Sequence, residues 1–291
     1  MDESDATAAL HPDAVARLLV PGLALAGCLQ AHLWRDTTCC ASLSAAQRGS
    51  CFPATPLCGL TWVLAGEGEQ LDEAGRSLGP LSGPVLITGP RSRPAFYRAA
   101  GPTRCFMTAI MPDALRALTG LDIAALCDRS VDMAQAGLDD PDWHALNAAM
   151  LAAPDELVCQ RLLEDFLRPR WRAVPQAGGS GYRGWMQHLA LRAVAAGHGR
   201  SLRQMERRIK QWSGQSLRAL RSLSRAEATF FQVRRELAEG ELVWSALAQD
   251  MGYADQAHLC RETRRVTGFS PDELRRRIDR EEAFWPYRVW A

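Results

Sequence analysis

The sequence predicts an α+β chain in two parts, a β-rich N-terminal half closed by a helical hairpin and an all-α C-terminal half. Three observations carry this. Short runs rich in β-branched and aromatic residues, separated by turn chemistry, fill residues 23–111. From Pro112 onward the spacing becomes helical, with Pro or Asp at the starts of segments. A glycine-rich stretch, Val174–Gly181 (VPQAGGSG), then divides the halves, and the sign of the charge changes there. Residues 1–181 hold 14 basic and 20 acidic side chains, net −6, and residues 182–291 hold 20 and 13, net +7. The whole-chain charge of +1 hides this split. An acidic module joined to a basic one points to a polyanionic partner for the second.

Taken in order, residues 1–22 read as a polar, partly helical leader. Leu57–Ala65 (LCGLTWVLA), Pro84–Thr88 (PVLIT), Ala95–Ala99 (AFYRA) and Arg104–Met111 (RCFMTAIM) read as strands, with residues 66–83 and 89–93 as turns. Strands this short and this closely spaced predict a small β-barrel or sandwich. Residues 112–118, 122–128, 141–151 and 156–171 read as helices, the last two forming a hairpin against the barrel or a partner subunit. The expected organisation is a domain over 1–173, a linker over 174–181 and a domain over 182–291. In the second domain Tyr182–Gly197, Ser201–Trp212, Leu217–Ala238, Leu242–Asp250, Asp255–Val266 and Pro271–Glu281 are the candidate helices.

Leu242–Leu274 carries the chemistry. Ala246, Leu247 and Met251 are the apolar positions of a short helix, Ala248 admits close packing, and Gly252 turns the chain into a basic helix with Arg261, Arg264 and Arg265. That order is the sequence form of a helix-turn-helix. It recurs. Ala195 and Gly199 precede Ala248 and Gly252 by 53 residues, and Gly214-x-Ser216-x-x-x-Leu220 is echoed by Gly268-x-Ser270-x-x-x-Leu274. Two such motifs joined by one long helix can enter two successive major-groove segments.

Other classes are disfavoured. The N-terminus is acidic, the apolar run near Val20–Leu29 is broken by Pro21, Gly22 and Gly27, and no run of about 18 apolar residues could span a membrane. The expected location is the cytoplasm, where the nine irregularly spaced cysteines stay reduced. The six histidines show no metal-ligand spacing of the kind a metal-binding cupin-like fold needs, so no metal or cofactor is expected. Cys39, Cys40, Cys51 and Cys58 read either as a thiol sensor or soft-metal site or, more commonly, as buried structural thiols. No Gly-x-Ser-x-Gly elbow, Walker-type loop or dinucleotide fingerprint appears, which argues against an enzyme.

Ala248, the run Gly252-Tyr253-Ala254-Asp255-Gln256-Ala257-His258-Leu259-Cys260-Arg261 and the exit phrase Gly268-Phe269-Ser270-Pro271 resemble the second helix-turn-helix of AraC-type transcriptional regulators. The first copy, Ser201–Ile209, matches more loosely. The resemblance covers roughly the last 100 residues. Leu23–Met133, with Gly89-Pro90-Arg91 and Met111–Leu115, more weakly resembles a β-rich N-terminal domain of some of these regulators. Thr263 stands where the family usually carries a core aromatic, and Arg208 fills a normally apolar slot. The resemblance implies double-stranded DNA as partner, a small-molecule effector, RNA polymerase contact and a homodimer.

By the logic of a docked recognition helix, Arg203, Gln204 and Arg207 of the first helix and Gln256, Arg261 and Arg264 of the second are the candidate base readers. Lys210 and Arg265, with Arg208, are the candidate phosphate contacts or solvent-facing charges. Asp255 is the expected N-cap. Leu247, Met251, Leu259, Met205 and Ile209 are assigned to core. Trp34, Trp62, Phe96, Tyr97 and Phe106 are the candidate lining of an effector pocket or, residue by residue, barrel core. Two rivals remain open: a regulator-like DNA-repair or thiol- and redox-sensing protein, and a protein–protein adaptor using the basic helices. The first lacks a Pro-Cys-His-Arg nucleophile phrase, and the second leaves the turn phrase unexplained.

Overall fold

The computed structural model describes residues 8–40, 42–172, 185–186, 189, 202–240 and 242–290. The linker expected over 174–181 and the first copy's Ala195 and Gly199 lie outside the described residues, as does most of the candidate helix Tyr182–Gly197.

The N-terminal region folds as two antiparallel sheets. Strands β1 (Val15–Leu19), β2 (Leu29–Asp36), β4 (Cys58–Ala65), β7 (Val85–Thr88), β9 (Arg104–Ile110) and β10 (Ser130–Asp132) form the larger, in the order β1-β2-β9-β4-β7-β10. Strands β3 (Gly49–Phe52), β5 (Gly68–Leu71), β6 (Ser77–Pro80) and β8 (Ala95–Ala99) form the smaller, in the order β3-β8-β5-β6. The four expected strands are present, but they belong to two sheets and not to a closed barrel.

Two segments differ from expectation. The leader contains β1, which pairs with β2 from Val15↔Asp36 to Leu19↔His32. Five residues are too few to show a period of their own, and the partner strand decides. The glycine-rich turn over 66–83 is a β5–β6 hairpin. Its turn chemistry is confined to the tip, where Asp72 Oδ1 accepts from the amides of Ala74 and Arg76.

Side-chain alternation gives the larger sheet two different faces. Leu60, Trp62, Phe106 and Ile110, all buried, point to one face and belong to the main core, under the helical hairpin. That hairpin is the one expected, α3 (Pro141–Leu151) and α4 (Glu156–Arg172), preceded by α1 (Pro112–Thr119) and α2 (Ile123–Leu126). Trp62 Nε1 donates to Asn147 Oδ1 of α3 at 2.9 Å, and Trp143 packs on Phe166 across the hairpin. The opposite face, with Gly59, Thr61 and Met107, looks into a cavity.

The C-terminal region is helical: α5 (Leu202–Ser213), the long α6 (Leu217–Glu239), α7 (Trp244–Asp250), α8 (Gln256–Thr267), α9 (Pro271–Arg280) and α10 (Trp285–Val289). Its last residues fold back onto the sheets. Glu282 pairs with Arg35 of β2 at 2.9 Å, and Trp285 Nε1 donates to Ser50 Oγ of β3 at 2.9 Å. Phe269 meets Phe96 of β8 edge to face. Among the described residues no helix is long and apolar enough to cross a membrane.

Candidate nucleic-acid interface and interdomain cavity

The turn between α7 and α8 is built by residues that each have a stated task. Gly252 adopts φ +71°, a left-handed conformation that side chains resist. Open space surrounds the place where its Cβ would sit, so the requirement is conformational. Tyr253 is buried, donates its amide to Ala248 O at 2.8 Å and bonds Thr229 of α6 through its hydroxyl. Arg225 of α6 donates to Gly252 O at 2.9 Å and lies over the Tyr253 ring. The long helix thus fixes the turn, and the turn fixes where α8 begins. Asp255 is the N-cap, its Oδ1 accepting from the His258 amide at 2.6 Å. Leu247, Ala248 and Leu259 fill the space between the helices, and Met251 packs against them.

The exit phrase of the internal repeat has the same hydrogen-bond pattern in both copies. At the end of α5, Ser213 Oγ donates to Ile209 O and accepts from the Gln215 amide, with Gly214 at φ +73°. At the end of α8, Thr267 Oγ1 donates to Thr263 O and accepts from the Phe269 amide, with Gly268 at φ +87°. In each copy a hydroxyl closes the helix and a left-handed glycine redirects the chain to Ser216 or Ser270, the N-cap of the next helix.

Gln256, Arg261, Arg264 and Arg265 are exposed on α8. Arg261 and Arg264, one turn apart, have no ion-pair partner among the described residues. Arg265 is tied down, paired with Glu262 at 3.2 Å and donating to Ser222 Oγ of α6 at 2.8 Å. On α5, Arg203, Arg207 and Lys210 are exposed and share one stripe at i, i+4 and i+7, while Gln204 is half-buried. Ile209 is buried and Met205 packs against the main core.

Behind α8 lies a cavity of about 740 Å³, walled by both regions. The sheets contribute Thr61, Tyr97 and Met107, α6 contributes Leu223, Phe230 and Val233, and α8 contributes Leu259, Thr263 and Val266. Thr263, expected as a departure from a core aromatic, is part of this wall, and its small side chain leaves volume free.

The candidate pocket aromatics divide between the two readings the sequence left open. Tyr97 lines the cavity. Trp62 and Phe106 project from the other face of the sheet, where His32 stacks on Phe106, and Trp34 belongs to that same core. Phe96 packs on Phe269. Strand alternation placed neighbouring small and polar residues at the cavity instead. Arg91 and Trp285, which also line it, carried no sequence signal of their own. The four candidate thiols do not share an element: Cys51 is on β3, Cys58 on β4, and Cys39 and Cys40 follow β2. Burial pushes the Cys51 thiol up to about 12 and raises Cys40 and Cys58 too, which favours the protonated thiol over the thiolate. Among the described residues no group of three His, Cys, Asp or Glu stands close enough to hold a metal ion.

A β-rich region is thus joined to a helix-turn-helix whose second helix is basic and exposed, the architecture of DNA-binding modules. Residues 194–277 match the family model described as a helix-turn-helix domain. The match covers the region in which the sequence predicts a helix-turn-helix. Among solved structures, ToxT from Vibrio cholerae O395 is similar at 12% identity and a TM-score of 0.36, over 78% of this chain and 92% of ToxT. ToxT from V. cholerae strain SCE256 with an unsaturated fatty acid bound is similar at 10% identity and 0.35, over 77% and 93%. No curated protein matches the chain.

Proposed function

We propose that this chain is a ligand-responsive, sequence-specific transcription regulator. In this reading α5 and α8 each enter the major groove, and an effector occupies the cavity between the sheets and the helices. One observation carries it: α8 has two working faces. Gln256, Arg261 and Arg264 are free on its outer side, while Leu259, Thr263 and Val266 wall the cavity. A molecule filling that space touches the DNA-reading helix directly, so its binding energy differs between any two positions of α8. Such differential affinity is what a ligand needs to shift an equilibrium.

Binding to the DNA upstream of its own coding sequence, against scrambled duplex over a salt series, tests this reading. Base contacts predict a sequence preference that persists as salt rises, while the phosphate contribution falls. Arg261→Ala and Arg207→Ala are each expected to cost about 1–3 kcal/mol of binding, roughly tenfold or more. Arg265→Ala, whose guanidinium is already held by Glu262 and Ser222, is expected to cost less. Equal affinity for both duplexes at all salt concentrations would end the proposal.

A further inference from the structure

We infer that the cavity takes an organic anion with an apolar body, and that Arg91 holds its carboxylate. This rests on reading the cavity as the effector site. Arg91 follows β7 in a loop whose main chain is clamped, its amide donating to Thr55 O at 2.8 Å and its carbonyl accepting from Thr55 N at 3.0 Å. The residue is only 6% exposed and lines the cavity. Its Nη1 donates to Asp128 O at 2.7 Å, and its Nη2 to Tyr97 OH at 2.9 Å and Ser130 Oγ at 2.6 Å. Its Nε is buried without a hydrogen-bond partner.

No acidic side chain lies within 4.0 Å of this guanidinium among the described residues. The carboxylate of Asp128 is spent on Ser92, accepting from its amide and hydroxyl at 2.7 Å each, and offers Arg91 only its backbone oxygen. Arg35, the other deeply buried arginine of the cavity wall, is neutralised by Glu282 at 2.9 Å. A guanidinium cannot shed its charge near neutral pH, and a buried charge without a counter-charge is unfavourable. Arg91 therefore has no counter-charge among the described residues, and a bound anion would supply it.

The neighbouring hydroxyls suit the same anion. Tyr97 OH and Ser130 Oγ accept from Arg91 and stand 3.2 Å from each other, and once these hydroxyls and Thr88 bond one another one hydroxyl proton remains to be donated. Thr88 Oγ1 stands 2.9 Å from Ser130 Oγ, so three hydroxyls and a guanidinium with an unused N–H converge on one end of the cavity. All four residues line it. Much of the remaining wall, with Leu86, Met107, Leu223, Phe230 and Trp285, is apolar, and Arg48, Glu67, Glu227 and Asp279 also border it. A buried cation without a counter-charge beside a largely apolar wall selects an amphiphilic acid.

Octanoate and octan-1-ol, matched in chain length and differing in charge, test this by isothermal titration of the full chain. Wild type is expected to bind octanoate at least about tenfold more tightly than the alcohol. Arg91→Gln should remove that preference with the alcohol affinity unchanged, and Arg91→Lys should restore part of it. Tyr97→Phe with Ser130→Ala should reduce the preference severalfold while leaving Arg91 in place, which keeps the test open should Arg91→Gln fold poorly. Equal wild-type affinity for the pair, or a preference that survives in Arg91→Gln, overturns the assignment. Equal affinity for both would still leave a ligand cavity, so the regulator reading would stand. Loss of sequence-specific DNA binding is the separate result that would remove that reading.

Discussion

The two faces of the larger sheet are made by the same strands and do opposite things. On β4, Leu60 and Trp62 point into solid core under α3 and α4, while Thr61 and Val63, their neighbours in sequence, point into the cavity. On β9, Phe106 is fully buried and Met107 faces the open space. The large aromatics thus mark the face that holds the fold together. The cavity is bordered by the residues between them, which are smaller or more polar.

Truncations on the two faces separate these roles. Trp62→Ala removes a fully buried indole and its hydrogen bond to Asn147, and should cost about 3–5 kcal/mol of unfolding free energy. Urea denaturation followed by circular dichroism measures it. Met107→Ala, one residue beyond Phe106, should cost about 1 kcal/mol or less. A buried methionine normally costs about 2–5 kcal/mol when truncated, but this one already borders empty volume. Comparable losses at both positions would mean that the inner face is packed as tightly as the outer one, and the contrast would fail.

The same contrast explains what was legible in the sequence. The helix-turn-helix was readable because its determinants are local: a left-handed glycine at 252, a capping aspartate at 255 and a glycine exit at 268 each act within a few residues. The helical hairpin was readable for the same reason. Strand β1 and the β5–β6 hairpin were not, because four or five residues acquire their structure from a partner strand. Trp34, Trp62 and Phe106 attracted attention as pocket candidates because they are large, yet pairing register decides which face a residue joins, and one position shifts it to the other side. Arg91 could be quoted in its Gly-Pro-Arg phrase, but its significance is an absence. Only the folded chain shows that Asp128 is occupied by Ser92 and that no other carboxylate among the described residues comes within 4.0 Å.

The smallest predicted effect is acid sensitivity, and it also divides the faces. His32 projects from β2 on the packed side, stacked on Phe106, with Nε2 3.3 Å from Glu164 Oε1. Burial lowers its pKa, outweighing the opposite pull of Glu164. Burial works to raise the Glu164 carboxyl, but hydrogen bonds from Gln160, the Gly22 amide and His32 together hold it below its ordinary value, and Arg168 stands 3.8 Å away. A histidine whose folded pKa is depressed stabilises the fold while neutral. That contribution is complete above the unfolded value of about 6.5 and is lost as pH falls from there through the folded pKa. The Glu164 contribution persists to lower pH, disappearing only below the unfolded value of about 4.3. Urea midpoints for wild type should therefore fall between pH 7.5 and 5.5, and His32→Gln, which can still donate to Glu164, should flatten that first step and keep the lower one. No histidine lines the cavity on the inner face among the described residues. An unchanged slope in His32→Gln would place the acid sensitivity elsewhere and remove this difference between the faces.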